Sequence, residues 1–266
     1  MRLRQGFRLA AAAGVGMLLV LGTAANAEER TVGELFKLPR VASCSTVRHG
    51  NTQGYLTTSN GEAPSSTNPN STAALKVTKE GIEATLPDAN AKALYLEEPR
   101  RSVKLNRIGK LAYRTYQLNP SGVAVWSYQL PIDINGGTLN AGDFTTLVYE
   151  PYQDGQTITP NKWQNWDALR KGDAKWWSTR SLANVPNGAT QSFPTAWSAI
   201  VAAYPDATVL AYGLDLGKGA AGASARADTL VFGADSTCVQ HQWSTRFGRT
   251  SYLVSLLQIW RKWLLR

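Results

Sequence analysis

The chain has 266 residues, with 28 lysines and arginines against 19 acidic residues and a net charge of +9. That balance points first to nucleic acid, but the charge is unevenly placed. Arg2, Arg4 and Arg8 lie at the start, and Arg246, Arg249, Arg261, Lys262 and Arg266 follow the last acid, Asp235. The stretch between is left near +1, too neutral for phosphate-backbone binding. Two cysteines and two histidines are too few for a multi-Cys/His metal centre, and no apolar run reaches the ~18 residues of a spanning helix.

In chain order, the three arginines precede an apolar stretch over residues 9–21 and then Ala25-Asn26-Ala27. A positive start, a short apolar core and an A-x-A site predict a secretory leader over 1–27, placing the protein outside the cell or on its envelope. Residues 28–74 read as mostly loop, most polar at Ser65 to Thr72. A hairpin is expected at 75–86 around Lys79-Glu80-Gly81, followed by alternating strands at 92–97 and 111–117. In the latter, Leu111, Tyr113, Thr115 and Gln117 oppose Ala112, Arg114, Tyr116 and Leu118.

A strand at 123–130 is expected to end at Pro131, and one at 144–150 at Pro151. Further strands are expected at 163–166, 175–180, 207–212 and 228–232. One short helix is expected at 195–204, after a proline and closed by Pro205. The glycine-rich 213–222 reads as a flexible connection. Many short strands with one helix predict an all-β sandwich over 75–240.

The tail, 241–266, is different. Ser251, Ser255, Gln258, Lys262 and Arg266 form a narrow polar stripe among apolar neighbours, as on an amphipathic helix. Trp260, Trp263, Lys262 and Arg266 would suit a membrane interface. Packing on the domain or on a second copy, or a poorly ordered extension, are the alternatives.

The segments FTTLVYEPY (144–152), WQNWD and WWSTR (163–180), YPDATVLAYGL (204–214) and ADTLVFG (227–233) resemble a family of uncharacterised secreted actinobacterial proteins. That family is similar to jelly-roll carbohydrate-binding modules and concanavalin-like sandwiches. The resemblance implies a jelly roll whose last strand is ADTLVF, with Asp228 matching an acid that in some such modules lies near a structural calcium. No other cofactor is implied.

Cys44 and Cys238 are an even pair in an exported chain, so a disulfide is expected; the resemblance adds that first and last strands commonly neighbour each other. Trp163, Trp166, Trp176 and Trp177 fall within fifteen residues, with Tyr152 and Asp167 nearby. Aromatic faces stack on sugar C–H faces while amides and carboxylates bind hydroxyls, so a glycan or cell-envelope polymer is the expected partner; core packing of the rings is the alternative. No paired-carboxylate strand pattern, G-x-S-x-G, H-E-x-x-H or phosphate loop is present. Glu150 stands alone at a strand end, and His49 and His241 are expected outside the sandwich. The reading is therefore a binding domain rather than an enzyme, with a membrane- or envelope-associated structural protein docking through its C-terminal helix, and a polysaccharide-active enzyme with an unrecognised site, as the alternatives. Arg100, Arg101, Lys104, Arg107 and Lys110 read as a solvated basic face, with a site for an acidic polymer as the alternative.

Overall fold

The computed structural model describes residues 36–50, 55–59, 74–119, 122–140, 142–217 and 219–247. The expected leader, and the tail positions Trp260, Lys262, Trp263 and Arg266, lie outside the described residues. Among the described residues no helix is long and apolar enough to cross a membrane.

The chain is an all-β sandwich, as expected. Its strands are β1 (Ser45–His49), β2 (Tyr55–Ser59), β3 (Ala74–Thr78), β4 (Gly81–Thr85), β5 (Ala91–Glu97), β6 (Val103–Lys104), β7 (Ile108–Asn119) and β8 (Ser127–Asp133). Then come β9 (Phe144–Tyr149), β10 (Trp163–Asp167), β11 (Lys175–Ser178), β12 (Thr195–Ala196), β13 (Thr208–Val209), β14 (Tyr212–Leu216), β15 (Ser224–Ala234) and β16 (Thr237–Trp243). Among the described residues the single α-helix, α1 (Trp197–Ala203), sits inside the expected 195–204 and buries Trp197, Ile200 and Val201.

The seven-stranded sheet is organised on β15. One edge pairs along its length with β7, which carries β10 on its far side. The other edge is shared: residues 224–227 pair with β4 of the β3–β4 hairpin, and residues 229–234 pair with β16. The nine-stranded sheet runs β12-β11-β9-β8-β14-β5-β2, with β13 joining β8 to β6.

Alternation explains the facing. In β7, Leu111, Tyr113, Thr115 and Gln117 are buried while the residues between them are partly exposed, as a strand with one covered face requires. The core they enter is aromatic, with Tyr95, Tyr113, Trp126, Tyr128, Tyr149, Trp176, Trp197 and Trp243 all buried. Polar tips of these rings tie one sheet to the other. Trp126 Nε1 donates to Ala225 O at 3.1 Å, and the Tyr128 hydroxyl donates to Val231 O at 3.0 Å.

Four expectations are corrected. Residues 28–74 contain β1 and β2, and the last strand is β16 rather than ADTLVF, so the sandwich reaches beyond 75–240 at both ends. Pro131 lies inside β8 instead of ending it. The neighbouring strand changes there from β14 to β13, and Pro131 only accepts, from the N–H groups of Leu210 and Ala211. A proline is tolerated where the ladder is already broken. Finally, Tyr212–Leu216 is a fully buried strand, so the glycine-rich segment is not all connection. Gly213 is needed there because a Cβ would strike the carbonyl oxygen of Tyr95 on the adjacent strand.

Candidate functional site on the sheet faces

The four clustered tryptophans do not form one platform. β10 belongs to the seven-stranded sheet and β11 to the nine-stranded sheet. Trp166 and Trp176 point into the core, where their indole N–H groups donate to Thr115 Oγ1 (2.7 Å) and Ala168 O (2.8 Å). Trp163 and Trp177 are the outward members, one on each sheet, so they face away from each other. Asp167 is also committed, its Oδ1 accepting the N–H groups of Leu169 and Arg170 in the turn after β10. Tyr152, 52% exposed, stands on the turn after β9.

On the outer face of the nine-stranded sheet the registers build a transverse polar row. Tyr128 opposite Tyr149 places Glu150 opposite Ser127, and Ser127 is opposite Asp215. Trp177 opposite Val148 places Lys175 opposite Glu150. The row therefore reads Lys175, Glu150, Ser127, Asp215, and the row beside it reads Trp177, Val148, Gln129, Gly213. The Trp177 indole N–H donates to Glu150 Oε2 at 3.0 Å. Gln129 Nε2 donates to Ser127 Oγ (2.9 Å), whose hydroxyl donates to the backbone oxygen of Asp215 (3.0 Å).

Burial dominates the electrostatics of this face. It raises the Glu150 carboxyl above its ordinary range, with Asp215 adding to the rise and the Trp177 N–H opposing it. It raises Asp215 as well, against the pull of Lys92, whose Nζ lies 3.6 Å from Oδ2. Asp215 Oδ1 is buried with no hydrogen-bond partner. Where the sheet ends at β12, a cleft of about 500 Å³ opens beside Lys175, lined also by Thr195 and Phe193. Phe193 is 57% exposed, and nearby Gln191 also hydrogen-bonds Glu150. Sequence reasoning missed Asp215 because its strand is short and glycine-flanked; its signal was the alternation of Tyr212, Leu214 and Leu216 around it.

The outer face of the seven-stranded sheet carries a second row, Trp163, Tyr116, Arg226, Glu83, Lys76, each opposite the next. The ring centroids of Trp163 and Tyr116 are 5.5 Å apart, and the Arg114 guanidinium lies 4.7 Å from the Trp163 ring. Arg226 is held by Glu83 (2.7 Å) and Glu80 (2.5 Å). Asp228, the expected calcium ligand, sits within β15 and pairs with Arg114 at 3.4 Å. A guanidinium at that distance repels a cation, and the described residues include no group of three His, Cys, Asp or Glu able to hold a metal. The surroundings do not fit calcium.

The histidines are not outside the sandwich. β1 pairs with β16 in parallel, in a register that puts His49 beside Trp243. His49 Nε2 lies 3.0 Å from His241 Nδ1, and His241 Nε2 lies 2.9 Å from the Tyr212 hydroxyl. Tyr95 donates to Glu97 at 2.5 Å and completes the cluster. Burial keeps both imidazoles neutral, pushing His49 down to about 4 and His241 to about 3. Held by these bonds and by the stacking of His49 on Trp243, the cluster serves as a core network. Immediately before β1, Cys44 is bonded to Cys238.

Comparison with protein-family models, with curated proteins and with solved structures finds no match to this chain.

Proposed function

We propose that this is an exported binding domain that holds a glycan or cell-envelope polymer on the outer face of its nine-stranded sheet. The observation that carries the reading is the register of that face, which sets Trp177 beside Lys175 and Glu150 at one end of rows that continue to Gln129 and Asp215. The half-buried Trp177 indole supplies a stacking plane, and the exposed Lys175 ammonium and half-buried Glu150 carboxyl supply a donor and an acceptor for sugar hydroxyls, with the buried Gln129 and Asp215 behind them. The bond from the indole N–H to Glu150 fixes the ring before any ligand arrives, which lowers the ordering cost of binding. The disulfide suits an oxidising compartment and supports export.

A polysaccharide pull-down followed by calorimetry tests this. Trp177→Ala is expected to weaken binding about tenfold or more, an effect in the range of a lost aromatic anchor, while Trp163→Ala leaves this binding unchanged. No retention of the wild-type protein on any cell-wall polysaccharide at high concentration would sink the proposal.

The same face favours one alternative. Glu150 and Asp215 flank Ser127 in one row, so their backbones are two strand spacings, about 9–10 Å, apart. Carboxyl groups at such separations support inverting glycoside hydrolysis, with the more proton-retaining group as acid and the other as base on water. Release of reducing ends by the wild type, abolished in Glu150→Gln with binding retained, would replace binding by hydrolysis.

A further inference from the structure

The outer face of the other sheet holds a cleft of about 290 Å³ where β4, β15 and β16 meet. Three cations from separate parts of the chain reach it: Lys79 from the β3–β4 turn, Arg114 from β7, and Arg246 from the turn after β16. Asp228, Gln242 and Trp243 also line it. Glu80, the remaining acid at its margin, is bound to Arg226.

One donor here lacks an acceptor among the described residues. It is the buried Nε–H of Arg114, although Nη1 of that guanidinium pairs with Asp228 at 3.4 Å. Buried N–H groups are rarely left unsatisfied, and each is a cost that a bound acceptor would remove. The aromatic ring of Trp163 lies beside the guanidinium of Arg114 and limits its movement.

The group that suits this combination accepts hydrogen bonds, carries negative charge and is planar enough for a guanidinium fork. A carboxylate meets all three requirements. Asp228 and the Gln242 amide provide an acceptor and a donor for hydroxyl groups next to it. The volume suits one sugar ring and not an oligomer, being at the small end of ligand pockets. We infer that this cleft is a second binding site, separate from the nine-stranded face, for the carboxylate of a uronic-acid unit, free or at an accessible position in a polymer.

Titration of the whole protein with glucuronate, glucose and inorganic phosphate, followed by calorimetry and amide NMR, tests the inference. Glucuronate is expected to bind and to shift the amide resonances of Thr229 and Gln242, which line the cleft, while glucose leaves them unmoved. Arg114→Gln is expected to weaken glucuronate about tenfold or more, the loss of a charge-assisted bond. Arg246→Gln, an exposed position, gives the same direction without touching the core. Trp177→Ala, which tests the other face, is expected to change nothing here. Equal binding of glucose, or glucuronate affinity unchanged in both arginine variants, overturns the inference. Phosphate binding as tightly as glucuronate also overturns it, leaving a general anion patch.

Discussion

His241 reaches between the two sheets, where one ring nitrogen meets His49 and the other the Tyr212 hydroxyl. Both imidazoles are neutral because a charge there would be removed from water without compensation. The consequence for stability has a definite sign. In the unfolded chain these rings take up protons near their ordinary value of 6.5, whereas the folded values are about 4 and about 3. Stability is therefore complete above about pH 6.5 and erodes as pH falls toward those values, by at most about 2 kcal/mol for each ring by pH 5. Glu97, Glu150, Asp215 and Asp228, all raised by burial, work in the opposite direction at lower pH. Thermal melts should thus be compared between wild type and His49→Gln. The acid slope is expected to be shallower in the variant, and parallel slopes would refute the account. At this scale the tryptophans were half legible. Adjacent Trp176 and Trp177 had to face opposite ways, but nothing local told which of them entered the core or that Trp163 belonged to the other sheet.

Among the strands, β7 was readable because one face is covered and the other wet, which writes a period of two into its residues. β8 is buried on both faces and lacks that period, so Pro131 looked like an end when it marks only a change of neighbour. β1 and β2 are five-residue strands of mixed polarity, and their pairing partners lie far along the chain. The histidine cluster could not be found without the pairing of β1 with β16, nor the Glu150–Asp215 row without the pairings of β8 with β9 and β14. The end of β16 has a practical bearing on the expected role of the tail at a membrane. Truncation after Gln240 removes His241 and Trp243 from the core, so it is expected to unfold the protein. Truncation after Phe247 keeps every described residue. If the tail docks on lipid, anionic liposomes should sediment the full chain and leave the Phe247-terminated chain in solution; equal sedimentation removes that role.

At the scale of the whole molecule, closure depends on one crosslink joining positions 194 residues apart. In the chain-entropy model such a loop contributes about 5 kcal/mol. Cys44→Ser with Cys238→Ser is expected to lower the melting temperature by roughly ten degrees or more, and dithiothreitol to reproduce the shift in the wild type. An unchanged melting temperature would show that the aromatic core and the histidine network are sufficient without it. The bond was the most legible feature of the sequence, because two cysteines in a chain expected to be exported leave few options. The two sheet faces were the least legible, because each is assembled from strands that only the folded register brings side by side.

The parallel pairing of β1 with β16 has one more effect. β1 is short and carries Arg48 at the border of its sheet, and it covers a longer strand, Thr237–Trp243, whose backbone amides would otherwise be open to another chain. Exposed strand edges of that kind template aggregation. The cystine therefore also acts as a safety catch against self-association: reduced protein should form oligomers on storage at concentrations where the oxidised form stays monodisperse.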